Sequence, residues 1–329
     1  MARSSQTLET RPASKKIGAL ASLGPFLRPY RFLMIMSFFA LVLTAMISLS
    51  LPLAVRRVVD GFSGDNVQLL DAYFGAALGI ALALALGTGL RYYLVTRLGE
   101  RVVADIRRAV FDRVLSMSPQ FFENIMTGEV LSRLTTDTTL ILSVIGSSVS
   151  VALRNVLILI GGLGFLLLTS GKLTALVLLL VPMVVVPIVF IGRKLRVLSR
   201  ENQDLIAESS GKAGEALQAV QTVQAFTHVE RSRSLFGAIT ESAFASARKR
   251  IAMRALMTVI VIFLIFSGIV GILWIGARDV QLGVMSPGQL VQFLIYAVMV
   301  AGAVGALSEI WGELQRAAGA TERLAELLQ

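Results

Sequence analysis

The chain has 329 residues, of which 55% are hydrophobic and only 16% charged, whereas soluble domains carry about 25% charged residues. Its mean hydropathy of +0.75 argues against a soluble domain, and the absence of cysteine excludes disulfides and thiol chemistry. The net charge of +10 does not require nucleic acid, because Lys and Arg collect in the cytoplasmic loops of membrane proteins. We therefore expect a lipid bilayer, and no nucleic acid, as partner.

Six apolar stretches recur along the chain, separated alternately by very short and very long polar connections. Five carry no charged residue, and the third carries only Arg154. About 20 apolar residues, at 1.5 Å per residue, match a hydrocarbon core about 30 Å thick, and segments of this length satisfy their backbone there as helices. The sequence predicts an all-α membrane protein with six transmembrane helices, at about 32–55, 72–90, 150–170, 173–192, 255–277 and 287–308.

Positive charges are distributed unevenly between the two sides of these helices. Lys and Arg number 6 before Phe32, 7 in 91–137, 11 in 193–254 and 2 after Ser308, so 26 of the 31 lie on one side. The positive-inside rule makes that side cytoplasmic, with both termini there. We expect a multi-pass protein of the cell (inner) membrane. The basic tail at 1–24 also fits a short organellar presequence, so an organellar inner membrane is the alternative.

The long cytoplasmic connections have the periodicity of helices. After the second span, apolar residues recur every three or four positions, which predicts one helix from Ala72 to Met117. These residues are Leu94, Leu98, Val102, Ile106, Val110 and Val114. A similar pattern predicts that the fourth helix continues to about Phe226. Each helix would be on the order of 70–80 Å long, so a large part of it would project into the cytoplasm.

The first projection ends in a break at residues 118–128. Pro119 disfavours helix at the residue before it, and Thr127 with Gly128 supplies a turn or cap. Phe121 and Phe122 lie between these signals. Paired aromatic residues at an exposed tip indicate a docking knob for another protein.

The two tips resemble those of the transmembrane half of type I ATP-binding-cassette (ABC) exporters. The first tip is similar to the family pattern of two aromatics, Thr-Gly-Glu at 127–129, Ser-Arg-Leu at 132–134 and then Asp137. The second tip, at 215–230, is similar to the pattern Glu-x-Leu, Thr-Val-x-Ala-Phe and Glu.

The remaining part of the resemblance lies at the end of the chain. Segment 283–296 is similar to the start of the family's sixth helix, and segment 317–328 to its exit toward the ATPase domain. The resemblance covers about residues 25–329 and implies a six-helix exporter domain at 25–316. It further implies that 317–329 begin a linker toward a nucleotide-binding domain.

The resemblance also implies how the chain is driven and assembled. Two coupling helices at the tips would contact a nucleotide-binding domain, and six helices would form half of a translocation unit. The second half-transporter would then be an identical or a different chain. The residues to which the resemblance assigns coupling are Phe121, Phe122, Thr127, Gly128, Glu129, Ser132, Arg133, Asp137, Glu215, Val223, Phe226 and Glu230.

The chain itself lacks a phosphate-binding loop, which requires G-x-x-x-x-G-K-[ST]. Gly171-Lys172 and Gly211-Lys212 are followed by Leu173 and Ala213 instead of Ser or Thr. We therefore expect no ATPase catalytic residue and no bound cofactor here, with ATP and Mg on a nucleotide-binding domain. That domain is either a separate subunit or part of a longer polypeptide. The sequence ends where the family's linker begins, which favours the longer polypeptide.

The spans contain no acid and no histidine, whereas a proton-coupled transporter normally keeps one as a relay. This favours ATP as the energy source. By the family's mechanism, the expected function is that of the permease part of an ATP-driven exporter. It would move an amphipathic or hydrophobic substrate out of the cytoplasm by alternating access. The single histidine, His228, gives no basis for a metal site.

The candidates for a substrate cavity have two interpretations each. Arg154 either snorkels near the inner interface or supplies a charge to the cavity for an anionic or amphipathic substrate. Six residues of the last two spans either line an apolar, adaptable cavity or take part in ordinary packing against helices and lipid. They are Phe263, Phe266, Gln292, Phe293, Tyr296 and Met299.

Other classes of protein stay open as alternatives. A membrane scaffold without transport activity would have a similar sequence, and a secondary transporter would need the acid or histidine that the spans lack. The segment Gly61–Gly64 matches the G-x-S-G of rhomboid-type proteases, but the spans have no histidine to activate Ser63. A voltage-gated-type channel would need arginines in its fourth span, and 173–192 has none.

Overall fold

The computed structural model of the protein describes residues 17–61 and 67–328, and these residues form helices joined by short turns, with no strand among them. Two of the sequence-based hypotheses, the presequence within residues 1–16 and the Phe62-Ser63-Gly64 part of the protease-like motif, lie outside the described residues.

The α-helices of the described chain follow one another closely. They are α1 (Gly24–Leu27), α2 (Arg31–Gly61), α3 (Val67–Leu115), α4 (Pro119–Asn124), α5 (Thr127–Ser132), α6 (Thr138–Ser143), α7 (Val149–Thr169), α8 (Gly171–Gln218), α9 (Val220–Ala225), α10 (Val229–Gln281) and α11 (Pro287–Leu328). Short 3₁₀ segments at Ile17–Leu23 and Arg28–Tyr30 flank α1, and π-helical turns at Arg133–Asp137 and Val144–Ser148 join α5, α6 and α7.

Among the described residues, six continuous helical stretches are long and apolar enough to cross a membrane, which confirms the predicted all-α fold with six spans. They are Leu20–Gly61, Asp71–Leu115, Thr127–Thr169, Gly171–Gln218, Val229–Gln281 and Pro287–Leu327. Each is at least 41 residues long, so each extends well beyond the roughly 20 residues that a bilayer requires.

The predicted cytoplasmic extensions have different outcomes. Helix α3 continues without a break to Leu115, close to the predicted end. Helix α8 ends at Gln218, earlier than predicted, because Ala219 leaves the helical conformation with φ −104° and ψ 27°. The chain reverses direction between Ala219 and the start of α10 at Val229. The short α9 occupies this turn.

The chain divides into two compact units, and the first contains Met1–Gly171 and Leu282–Gln329. Its core is formed by α3 together with Val130, Ile141, Leu324 and Leu327. All six residues of the predicted apolar stripe on α3 are buried. The stripe therefore holds the third span and α11 against α3 through the hydrophobic effect.

Helix α3 approaches the third span most closely at Gly99. A Cβ atom on Gly99 would lie 2.8 Å from the Cα atom of Gly146, closer than packed carbon atoms come. Gly146 belongs to the π-helical turn before α7. A glycine at position 99 therefore sets the distance between the two helices.

The second unit contains Lys172–Gln281, which is helix α8, the second tip and helix α10. The two long helices run antiparallel, because the contacts pair early residues of α8 with late residues of α10. Lys172 Nζ lies 2.8 Å from Asp279 Oδ1, and Asn202 Nδ2 donates to the Ala243 carbonyl at 3.0 Å. Between them, the Leu180 side chain packs directly over Gly268.

Candidate functional site

The first tip is built by proline and two extended residues. Ser118 is extended (ψ 153°) and precedes Pro119, which opens α4 at a position where its missing N–H costs nothing. Ile125 and Met126 are extended as well, so α5 starts in a new direction at Thr127. Helix α4 is therefore a separate short helix at the end of the α3 projection, as expected for a coupling helix.

The two aromatic rings on α4 have different surroundings. Phe121 packs against the core of the first unit, whereas Phe122 keeps 44% of its surface exposed. The rings meet edge to face, with centroids 5.3 Å apart. Phe121 is therefore half-buried, because the α3 stripe and its neighbours offer that ring an apolar surface. Phe122 is the more accessible of the two rings, and docking through either ring stays a prediction.

The Thr-Gly-Glu and Ser-Arg-Leu residues differ in their exposure. Thr127, Gly128, Glu129 and Ser132 are exposed, whereas Arg133 and Leu134 are half-buried. Arg133 donates from Nη2 to Glu129 Oε1 at 2.7 Å.

The other end of the same guanidinium reaches α11. Arg133 Nη1 donates to the Arg323 carbonyl at 2.9 Å and lies 3.5 Å from Glu326 Oε2. The Arg133 side chain is only 13% exposed, so these bonds form in a largely dry environment.

Asp137 completes the connection to the last helix. Its side chain is buried, and it accepts hydrogen bonds from Arg323 Nε at 2.9 Å and from Arg323 Nη2. The hydrogen bond that Arg323 donates to Asp137 raises the pKa of Arg323, so this guanidinium stays charged throughout the physiological range. We call Glu129, Arg133, Asp137 and Arg323 the tip clamp.

The contacts of the first tip with α11 involve two residues, one in the tip clamp and one beside it, that the sequence analysis missed. Arg323 and Glu326 lie in the segment recognised as the exit toward an ATPase domain, but neither was given a role. The available signal was the spacing of two opposite charges three residues apart on α11, opposite the charged residues of the first tip.

The second tip lies in the second unit, between helices α8 and α10. Phe226 is 70% exposed, and Thr227 adopts φ 54°, in the left-handed region that favours glycine. The chain closes through the N–H of His228, which donates to the Val223 carbonyl at 2.9 Å. Glu215 accepts a hydrogen bond from Lys212 at 2.9 Å, which raises the pKa of that lysine.

A hollow of about 510 Å³ opens beside this second tip, between the end of α8, helix α9 and the start of α10. Most of its wall is apolar, and it includes Val223, Leu235 and Phe236. Glu230 lies outside the hollow, on the first turn of α10, and pairs with Arg233 at 3.5 Å. The tip thus presents one exposed aromatic ring next to an apolar hollow.

The predicted cavity residues of α11 are buried within the first unit. Tyr296 donates its hydroxyl to the Leu49 carbonyl and stacks on Phe165 with ring centroids 5.0 Å apart. Gln292 contacts Arg56 and Thr169, and Phe293 is fully buried. Gln292, Phe293 and Tyr296 thus pack between α2, α7 and α11, as the packing interpretation expects, and their role in a substrate path stays a prediction.

The remaining cavity candidates keep accessible surface. Phe263 and Phe266 on α10 are exposed, and Met299 on α11 is half-buried. Arg154 is half-buried near the start of α7, and its Nε is buried without a hydrogen-bond partner. A role in a substrate path stays a prediction for these four residues.

No group of three or more metal-ligating side chains comes together in the described part of the chain.

The sequence was compared with known protein families. The family described as ABC transporter transmembrane region matches residues 34–304.

Individual relatives agree with this match. A multidrug resistance ABC transporter ATP-binding and permease protein of Lactococcus lactis is 28% identical over 92% of this chain and 50% of its own length. The ATP-dependent permease MDL1 of Schizosaccharomyces pombe mitochondria is 29% identical over 88% of this chain and 41% of its own length. A Rickettsia conorii protein named for export ATP-binding and permease functions is 26% identical over 95% of this chain and 54% of its own length.

The chain spans about half the length of the relatives it matches. The six apolar helices, the short helix at the first tip and the match over 34–304 point to one family. The chain belongs to the ABC transporter transmembrane region family and is an ABC exporter transmembrane domain.

Proposed function

We propose that this chain is the membrane-spanning part of an ATP-driven exporter that works by alternating access. The observation that carries this proposal is the tip clamp. It joins α5 to α11 through two buried or largely buried charged groups, Arg133 and Asp137. A movement imposed on the first tip would therefore pass into α11 through a stiff connection rather than through a loose loop.

The energy source that we propose is ATP, bound with Mg on a nucleotide-binding domain. The names of the relatives combine ATP binding with a permease, and this chain covers about half of their length. Phe122 and Phe226 are the exposed rings through which such a domain would dock. The domain is either part of a longer polypeptide or a separate subunit.

The second partner that we propose is another half-transporter. Helices α8 and α10 expose many large apolar side chains, including Leu179, Phe190 and Phe263, each more than two-thirds exposed. In a bilayer, lipid covers some of this surface, and a second half would cover the rest. The assembly would enclose a path for an amphipathic or hydrophobic substrate.

The proposed orientation places both tips and both termini in the cytoplasm. It follows from 26 of the 31 Lys and Arg residues lying on one side of the spans. The proposed location is the cell (inner) membrane, with an organellar inner membrane as the alternative.

Transport by inside-out vesicles tests this function. Vesicles containing the complete transporter, with its nucleotide-binding domain, are given fluorescent amphiphiles with anionic, neutral or cationic headgroups. The proposal predicts accumulation of at least one of them with ATP, and none with a non-hydrolysable ATP analogue. ATP hydrolysis without accumulation of any probe would contradict the proposal and favour a scaffold without transport activity.

A further inference from the structure

Two arginines come together where the apolar spans of the first unit give way to their polar extensions. Arg91 follows directly on the charge-free stretch that ends at Leu90, and Arg154 lies in the first two turns of α7. Arg91 Nη1 donates to Ser150 Oγ at 2.8 Å. Ser150 is four residues before Arg154 on the same helix, so the two guanidinium groups belong to neighbouring turns of one surface.

Neither arginine has a counter-ion in the described part of the chain. Arg91 is only 8% exposed, and the Nε atoms of both arginines are buried without a hydrogen-bond partner. Glu313, on the adjacent α11, accepts a hydrogen bond from Ser148 and forms no ion pair with either arginine.

Arg133 provides a contrast within the same unit. Its Nε is also buried without a partner, but its other nitrogens pair with Glu129 and Glu326. Its charge is therefore balanced by the protein. The charges of Arg91 and Arg154 are not.

An arginine cannot relieve this situation by losing its proton, because the guanidinium group stays protonated in proteins. A buried cation is stable only when an anion or strong acceptors surround it, and a second cation nearby increases the requirement. An ionisable side chain that is buried within a membrane protein, rather than extended to the interface, is a candidate for a functional site. The missing component is therefore an anion.

We propose that Arg91, Arg154 and Ser150 bind the anionic headgroup, phosphate or carboxylate, of an amphiphile. Guanidinium groups match these planar or tetrahedral oxyanions through paired N–H donors. The neighbouring side chains of Leu90 and Val149 are apolar and at least half exposed, so an alkyl chain has a surface to follow. The inference rests on the proposed function and defines the substrate class of that exporter as anionic amphiphiles.

A binding measurement without ATP tests the site. The complete transporter in phosphatidylcholine nanodiscs is titrated with dodecyl phosphate, which combines one phosphate with an alkyl chain. Arg91→Gln and Arg154→Gln should each weaken binding by about tenfold or more, because each removes a charged hydrogen bond. Arg108→Gln removes the same charge from an exposed position of α3 and should leave binding unchanged. Equal binding by all four proteins would overturn the proposal.

Two further ligands distinguish an amphiphile headgroup from a free anion as the bound species. Dodecyl maltoside, which is neutral, should not compete with dodecyl phosphate, and inorganic phosphate should compete only at far higher concentration. Inorganic phosphate that binds as tightly as dodecyl phosphate would show a site for a free anion and would overturn the amphiphile assignment.

Charge-conserving variants guard against loss of the fold. Arg91→Lys and Arg154→Lys keep the charge but lose the paired N–H donors, so they should bind more tightly than the glutamine variants and less tightly than the native protein, and thermal unfolding verifies that each variant is folded. Lysine variants that are folded but bind as weakly as the glutamine variants would contradict an electrostatic site.

The two proposals can fail independently. Binding of dodecyl phosphate that depends on both arginines, with no ATP-driven transport of any probe, would overturn the exporter function and leave the site. Transport of anionic amphiphiles that is unaffected in Arg91→Gln and Arg154→Gln would overturn the site and leave the exporter function in place.

Discussion

Asp137 and Arg323 lie 186 residues apart in the sequence and form a two-point ion pair at the foot of the first tip. Asp137 is buried, whereas the Arg323 side chain is 41% exposed. The pair therefore stands at the edge of the core, where an ion pair is stronger than on the open surface and less costly to form than in the interior.

Arg323→Ala should destabilise the protein by about 1–3 kcal/mol, because it leaves a buried carboxylate without its donor. The partial exposure of Arg323 keeps the expected loss below that of a fully buried pair. The measurement is thermal unfolding of the purified transporter. Arg316→Ala is the matched control, since Arg316 is an exposed arginine two turns earlier on α11.

A double-mutant cycle then isolates the pair. Asp137→Asn in the Arg323→Ala background should cost little beyond the single variant, because the unpaired charge is gone. If Arg323→Ala were no more destabilising than Arg316→Ala, the tip clamp would have no energetic role.

Phe121 and Phe122 should respond differently to truncation. Phe121→Ala removes a ring that packs against the core and should cost about 1–3 kcal/mol of stability. Phe122→Ala removes an exposed ring, so stability should stay within about 0.5 kcal/mol of the native value. The same variant should lower the amount of substrate transported per ATP hydrolysed. An unchanged ratio in Phe122→Ala would remove this residue from the docking surface.

Gly99 should not tolerate even a methyl group. In Gly99→Ala, the added Cβ would meet the backbone of Gly146, and we expect destabilisation by about 1–3 kcal/mol, as in other overpacked cores. Gly89→Ala, on the same helix with open space around the added atom, is the control and should be neutral or stabilising. Thermal unfolding compares the two. Equal midpoints would show that α3 and the third span have room to separate.

Tyr296→Phe tests whether this residue serves helix packing. The variant loses the hydrogen bond to the Leu49 carbonyl and should be about 1 kcal/mol less stable, with transport unchanged in rate and substrate preference. Tyr92→Phe, at an exposed position of α3, controls for the loss of a hydroxyl. A change in substrate preference in Tyr296→Phe alone would return Tyr296 to the substrate path.

The spans and the α3 stripe could be predicted because each is a local, repeating pattern. A long run of apolar residues without charge predicts a membrane span. Apolar residues that recur every three or four positions predict one buried helix face. The break between α8 and α9 had no such signal, since neither Gly nor Pro stands near Ala219. There the need to reverse the chain overrides the local preference for helix.

The partners across the fold could not be predicted for the same reason. The motif pattern marked Arg133 and Asp137 as functional, but their partners lie on α11, and nothing local joins the two segments. Phe121 and Phe122 are the same residue type at adjacent positions, and only the packing around α4 makes one ring half-buried and leaves the other exposed. Arg91 and Arg154 belong to different helices, and their proximity also depends on the fold.

The measurement that tests the central claim most directly is site-specific cross-linking at the first tip. This chain has no cysteine, so Phe122→Cys provides its one thiol, and any cysteines of the nucleotide-binding domain are replaced by serine. A cross-linker with one maleimide end, which reacts with the thiol, and one amine-reactive end, which reacts with lysine, is applied to membranes holding the complete transporter. Joined peptides are identified by mass spectrometry. Val284→Cys, exposed in the turn before α11, is the control on the opposite side of the membrane. We predict peptides joining position 122 to the nucleotide-binding domain and none from position 284. Cross-links to that domain from position 284, or none from position 122 despite complete labelling of its thiol, would contradict the account.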